Sequence, residues 1–421
     1  MTMRDFSSRD NVMLFGGMKV TEIAKEFGTP CYAVDEARIR ENYHALYDAF
    51  SRYMPTEIHY ACKANTNLAV LSILRQEGAG IDAVSIGEVM TCLKAGFSPS
   101  KIMYTGVNVS DEELKAVVES GVMINLDSVS EMERLARIKT GIPVSFRITP
   151  GIGSGHGEKV ITGNKGAKFG IPKEKVVETY LRAIDLGLRP IGIHAHIGSG
   201  GQTVEPFIDE AMVLAELINQ IEEACGIHLE FVDIGGGIGV PYKPNEDEMD
   251  VQEMASEVTD VFQQETDVDR IILEPGRYIV CDAVVLLTKC VDVKDAITKK
   301  YIGVDAGFNT LIRPAMYDSF HYIQNGSRFG KAATGRYDIA GPICETGDYL
   351  GHDRVMPETE EGDIIVVYNA GAYGFSMSSN YNSRPLCAEV LVCDGKAELI
   401  RERETVEEMW RHQKVPERLK Q

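Results

Sequence analysis

Across 421 residues the sequence has no CxxC pair, and its nine cysteines, an odd number, are scattered along the chain. That usage argues against a disulfide framework and fits reduced thiols, hence a cytoplasmic protein. No uninterrupted apolar run approaches the roughly 20 residues of a spanning helix. Met1 to Asp10 carry charges and no apolar stretch, so neither a membrane span nor an export signal is expected. Basic residues are in deficit: 43 Lys and Arg against 63 Asp and Glu leave a formal net charge of -20. A surface of that sign argues against nucleic acid or an anionic membrane as partner. No internal repeat or low-complexity segment stands out, and the length suffices for a large barrel with an added domain.

What is present is a regular alternation of strand and helix patterns from Arg38 onward. Eight short apolar or β-branched runs are predicted strands: Ile58–Lys63, Ile81–Val84, Ile102–Thr105, Met123–Leu126, Pro143–Ile148, Ile191–His196, Phe231–Ile234 and Ile271–Glu274. Helical periods follow them at Leu68–Glu77, Ile86–Ala95, Asp111–Glu119, Ser130–Lys139, Lys173–Leu186, Pro206–Ala224 and Val251–Gln264. Eight such units predict an α/β fold, a TIM (β/α)8 barrel over residues 36–278. After Glu274-Pro275-Gly276-Arg277 the runs become short and β-rich, which predicts a mainly β domain from 279 to 421. Residues 1–35, with a helix at Val20–Phe27 and a strand at Cys31–Val34, are expected to join that second domain.

A barrel gathers its chemistry at the C-terminal ends of its strands. Those ends hold Lys63, Asp82 with Ser85, Thr105 with Asn108, Asn125 with Asp127, Arg147, His194 with His196, Asp233 and Glu274. The longest loop, Thr149 to Gly170, contains His156 and Lys168 and has the length of a lid. Lys63 ends the first strand, where a desolvated lysine can act as a nucleophile and form a Schiff base. Gly235-Gly236-Gly237 after the seventh strand and Gly276 after the eighth allow backbone N–H groups to approach a phosphate. His194 and His196 lie on one side of a strand, yet no third residue at metal-like spacing accompanies them, so no metal site is expected. His196 can instead stack on an aromatic cofactor, while His194 suits a hydrogen-bonded core position. Glu274 opposite a pyridine nitrogen would keep it protonated. Lysine, phosphate cradle, imidazole and carboxylate together describe a site for pyridoxal 5'-phosphate.

The motifs resemble those of the diaminopimelate decarboxylases, fold type III pyridoxal-phosphate enzymes with an alanine-racemase-like barrel. The resemblance rests on YACKAN at Tyr60 to Asn65, HIGSG at His196 to Gly200, GGG at Gly235 to Gly237 and EPGR at Glu274 to Arg277. It continues through RPAMYD at Arg313 to Asp318, CETGD at Cys344 to Asp348 and GAYGFSMSSNYN at Gly371 to Asn382. It implies a homodimer with shared active sites and the decarboxylation of meso-2,6-diaminopimelate to L-lysine, the last step of lysine biosynthesis. Lys63 would be the Schiff-base lysine, His196 the ring-stacking residue and Glu274 the partner of the pyridine nitrogen. Ser199, Gly237 and Gly276 would hold the phosphate, with Tyr373 beside the cofactor. Arg277, Arg313 and Tyr317 would grip the distal carboxylate, and Glu345 of the partner subunit the distal ammonium. Cys344, also of the partner subunit, would return a proton to Cα. The segment Gly151 to Gly157 and Leu386, where a basic residue is common, depart from the family pattern.

A same-fold decarboxylase of ornithine, arginine or a lysine enantiomer would share Lys63, Glu274 and Cys344, but would not need Arg313. A racemase would need a tyrosine in place of Cys344. A non-catalytic barrel regulator would be expected to have lost one of these residues.

Overall fold

The computed structural model describes residues 6–153, 163, 166 and 168–420. His156, in the loop expected to act as a lid, lies outside them. The described residues form two compact units, one of Arg38–Pro241 with Asn245–Val280, the other of residues 6–37, Tyr242–Pro244 and Cys281 onward.

The first unit is a closed parallel barrel. Its strands are β1 (Thr56–Ala61), β2 (Gly80–Ala83), β3 (Ile102–Tyr104), β4 (Met123–Leu126), β5 (Pro143–Thr149), β6 (Arg189–Ala195), β7 (Phe231–Asp233) and β8 (Arg270–Leu273). Each pairs in parallel with the next, and β8 pairs with β1 to close the ring. The runs are apolar without alternation because a parallel barrel strand is covered on both sides. Met103, Phe231 and Ile272 meet in its core, with Met123 and Ile191 packed against them. A Cβ on residue 192 would fall 2.3 Å from the Phe231 ring, so glycine there makes room for the phenyl group.

Three successive strand-to-helix turns share one device. Ser85, Ser110 and Ser128 cap the helices Ile86–Lys94, Asp111–Ser120 and Val129–Ile138, each hydroxyl accepting from the N–H of a glutamate three residues on. Each cap contributes about 1 kcal/mol. Ser85 is therefore occupied as a cap. The stretch Lys173–Leu186 divides into a short 3-10 turn, Lys173–Lys175, and the α-helix Val176–Asp185.

The second unit is mainly β. Its long strand Val284–Asp295 pairs antiparallel with Cys31–Asp35, Lys300–Val304 and Ile364–Val367. Cys31–Asp35 also runs parallel to Ala388–Cys393 and is buried throughout. Gly335–Ala340 and Tyr349–Met356 extend the same sheet on the far side of Lys300–Val304.

Candidate active site

In the barrel unit, Lys63 sits in the 3-10 turn Cys62–Ala64 directly after β1. Its Nζ donates to Asp82 Oδ2 at the end of β2. The Asp82 side chain is 1% exposed and that of Lys63 38%, so the ammonium reaches the barrel mouth while its partner stays inside. Glu274 follows β8 and is buried. Its Oε2 lies 3.3 Å from His194 Nε2, and its Oε1 makes no hydrogen bond. Burial works to raise the Glu274 carboxyl, but the close approach of His194 and the positive charge of Lys63 hold it well below the usual carboxylate range. Asp233, wholly buried at the end of β7, behaves oppositely: burial and then the negative charge of Glu274 push its carboxyl well up.

His196, half-buried beyond β6, accepts a hydrogen bond at Nδ1 from the N–H of Gly236 at 3.1 Å. Loss of hydration and the positive charges of Arg147 and Lys63 push its basicity well down, so the ring is neutral. The loop Gly198–Gly201 and the loop Gly235–Gly239 are tied together, Gly200 and Gly201 both donating to Gly237 O, at 2.8 and 3.0 Å. Gly237 has φ +96°, and a Cβ there would fall 2.3 Å from Gly198 O; only glycine fits. Gly276 approaches the first strand closely, with Ala61 Cβ 3.2 Å from where a side chain would begin. Arg277, buried, donates from Nη2 to Ser199 Oγ at 3.1 Å.

The structure thus brings Lys63, His196, Ser199, Gly237, Glu274, Gly276 and Arg277 to one end of the barrel. His194, Asp233 and Glu274 offer donor atoms within 4.8 Å of one another. They form an imidazole–carboxylate network: His194 Nδ1 is engaged by Asn125, and Asp233 Oδ1 accepts from the Gly235 N–H. An anionic Glu274 with an orphaned buried oxygen, a lysine at the mouth and two glycine loops fit a phosphorylated pyridine ring. Sequence reading missed Glu210, wholly buried on the helix Glu205–Cys225 with neither carboxylate oxygen hydrogen-bonded. Burial pushes its carboxyl well up. Between Asp209 and Ala211 it has no sequence signal that separates it from a surface acid.

In the β unit, Arg313 opens the short helix Arg313–Tyr317 and is 4% exposed. Its guanidinium lies 5.8 Å from the Tyr242 and Tyr317 ring centres and 5.9 Å from that of Tyr373. Nη2 donates to Ser319 Oγ at 3.1 Å, and Nε has no partner. Tyr373 holds a left-handed backbone, φ +59°. Tyr242 and Ser319 were not legible as site residues. Cys344 is exposed, and its N–H donates to Asn382 Oδ1 at 2.8 Å. Glu345 accepts from the Tyr381 hydroxyl. Asp348, buried, accepts from the N–H groups of Ile343 and Phe308, which fixes the loop that presents Cys344 and Glu345.

Residues 36–281 match the family "pyridoxal-dependent decarboxylase, pyridoxal binding domain". The chain is therefore a pyridoxal-dependent decarboxylase in class. It is 51% identical to the diaminopimelate decarboxylase of Methanothermobacter thermautotrophicus, over 97% of this chain and 96% of that one. It is 39% identical to that of Archaeoglobus fulgidus, over 98% and 99%. The diaminopimelate decarboxylase of M. jannaschii, solved with L-lysine, superposes with a TM-score of 0.92 at 32% identity, covering 98% of each chain. The chain belongs to the diaminopimelate decarboxylase family.

Proposed function

We propose that this chain removes CO2 from meso-2,6-diaminopimelate to give L-lysine, as a cytoplasmic homodimer with shared active sites. The observation that carries the chemistry is the barrel mouth, where Lys63 and an anionic Glu274 with an orphaned oxygen flank two glycine loops. Substrate identity is supported by the relatives' names, and by an arginine buried among three tyrosines, a setting suited to a carboxylate.

Pyridoxal 5'-phosphate, when bound, supplies a carbonyl that condenses with an amine and a pyridinium that takes up the electron pair left by departing CO2. Lys63 would be the residue that holds the cofactor, through its amine at the barrel mouth. Ser199 with the backbone of Gly237 and Gly276 would hold the phosphate. Glu274, its carboxyl held ionised, would keep a pyridine nitrogen placed against it protonated. His196, neutral and half-buried, would stack on the ring without competing for that proton, and Tyr373 would contact the cofactor. Arg277, Arg313 and Tyr317 would be the residues that hold the distal carboxylate. Glu345 of the partner subunit takes the distal ammonium, and Cys344 of the partner subunit gives its Sγ proton to Cα once the C–CO2 bond has broken. No step calls on a metal ion.

The test is CO2 release with added cofactor from meso-diaminopimelate, D-lysine, L-lysine, L-ornithine and L-arginine. Selectivity for meso-diaminopimelate that falls at least tenfold in Arg313→Ala is expected, since a charged hydrogen-bonding partner is removed from a buried site. Turnover of a substrate without the distal carboxylate at an equal rate would overturn the substrate assignment and keep the reaction.

A further inference from the structure

Four side chains form a line across the barrel interior: Ser145 on β5, Asn125 on β4, His194 on β6 and Glu274 after β8. The first three are 0% exposed and Glu274 is 6% exposed. Ser145 Oγ donates to Asn125 Oδ1 at 2.8 Å. That occupies the amide oxygen and sets the amide nitrogen 2.7 Å from His194 Nδ1. An amide nitrogen has only hydrogens to offer, so Nδ1 accepts and the ring proton resides on Nε2. Nε2 lies 3.3 Å from Glu274 Oε2, so its N–H faces the carboxylate at a distance and alignment short of a hydrogen bond.

We propose that Ser145 and Asn125 fix His194 as the neutral Nε2–H form, making His194 a positioning residue that restrains Oε2 of Glu274 and leaves Oε1 for the cofactor's ring nitrogen. This rests on the decarboxylase reading for what binds, but not for the state of the ring. With the amide reversed, Asn125 would donate to Ser145 and accept from His194 Nδ1–H. Nε2 would then turn a lone pair on an ionised carboxylate, a repulsive contact in a dry site, or the ring would have to become an imidazolium. An imidazolium would add a third cation beside Lys63 and Arg147, and would form its own ion pair with Glu274. That pair would weaken the hold of Glu274 on a pyridinium proton. A neutral donor restrains the carboxylate without cancelling its charge, much as a second-shell partner sets the tautomer and direction of a ligating histidine.

The experiment is 15N NMR of histidine-labelled protein before and after addition of pyridoxal 5'-phosphate, with His194→Gln assigning the resonance. The expected result in the cofactor-free wild type is a neutral ring protonated at Nε2. In Asn125→Asp, whose carboxylate can only accept from Nδ1–H, the signature moves to an Nδ1-protonated or doubly protonated ring. The cofactor dissociation constant, titrated by the visible band, then rises roughly tenfold or more, while the melting temperature reports folding. A wild-type ring found protonated at Nδ1, or at both nitrogens, overturns the proposal. So does an Asn125→Asp protein whose ring has changed state and whose cofactor affinity has not. Absence of CO2 release with an intact Nε2–H signature would sink the decarboxylase reading and support the assigned ring state.

Discussion

Lys63 Nζ lies 2.5 Å from Asp82 Oδ2, an ion pair that joins the ends of β1 and β2. The aspartate is the dependent partner, being buried while the lysine is partly in solvent. Lys63→Ala is expected to abolish the visible band of the bound cofactor. It should also destabilise the cofactor-free protein by about 1–2 kcal/mol, less than a fully buried pair because Lys63 is partly solvated. Lys63→Ala with Asp82→Asn should recover most of that loss in urea midpoints. A double variant no more stable than Lys63→Ala would show that Asp82 does not depend on the lysine.

Glu131 carries a pH dependence that can be worked out in sign. It is 2% exposed at the start of Val129–Ile138, its Oε2 accepts from the Asp127 N–H, and burial pushes its carboxyl up to about 7. The folded chain keeps a proton that the unfolded chain releases near about 4.3. Between those values the native state binds more protons, so its stability falls as pH rises, by roughly 3–4 kcal/mol in all. Glu131→Gln keeps an oxygen for the Asp127 N–H and cannot ionise. Chemical denaturation between about pH 5 and 8 should give a flatter profile for the variant, with the larger gain at the alkaline end. Parallel profiles would refute the assignment.

Gly237 combines a left-handed backbone with a close approach to Gly198 O. Gly237→Ala must part the two loops that its carbonyl ties together through Gly200 and Gly201. The expected outcome is a cofactor dissociation constant raised roughly tenfold or more, with a loss of about 1–3 kcal/mol in stability. Loss of stability alone, with affinity intact, would mean that the loops pack the barrel without cradling the phosphate.

The barrel was legible because its eight strands are short continuous apolar runs. Met123–Leu126 coincides with its predicted span, and Arg189–Ala195 begins two residues before its prediction and ends one short. The residues at the barrel mouth were legible for the same reason: once a strand end is placed, Lys63 or Glu274 follows from it. Partners brought together across the sequence were not. Nothing local links Tyr242 to Arg313, 71 positions later, or Asn125 to His194, 69 positions later. The strand Tyr349–Met356 escaped notice because Gly351, His352, Asp353 and Arg354 interrupt any apolar alternation. Asp348 closes the CETGD motif, and its role there was not legible either: the fold uses it to hold the loop through two backbone N–H groups.

Among the described cysteines Cys344 is the exposed one; Cys225 and Cys393 are half-buried and the others buried. The thiol proposed to return the proton is therefore also the thiol an alkylating reagent should reach first. Iodoacetamide is expected to modify Cys344 ahead of the rest, with decarboxylation lost in step with that modification and meso-diaminopimelate slowing both. Cys344→Ala should lower kcat by on the order of 10²-fold, the contribution of a positioned general acid, with a much smaller change in KM. Because a carbanion left without its acid persists, the variant should also take up its hydron less selectively, read in D2O as a loss of stereoselective deuterium incorporation at the new CH2 of the lysine formed. Normal kcat in Cys344→Ala, or inactivation that tracks another cysteine, would assign the proton to a different group and leave Glu345 and its Tyr381 partner as the reason for the loop's shape.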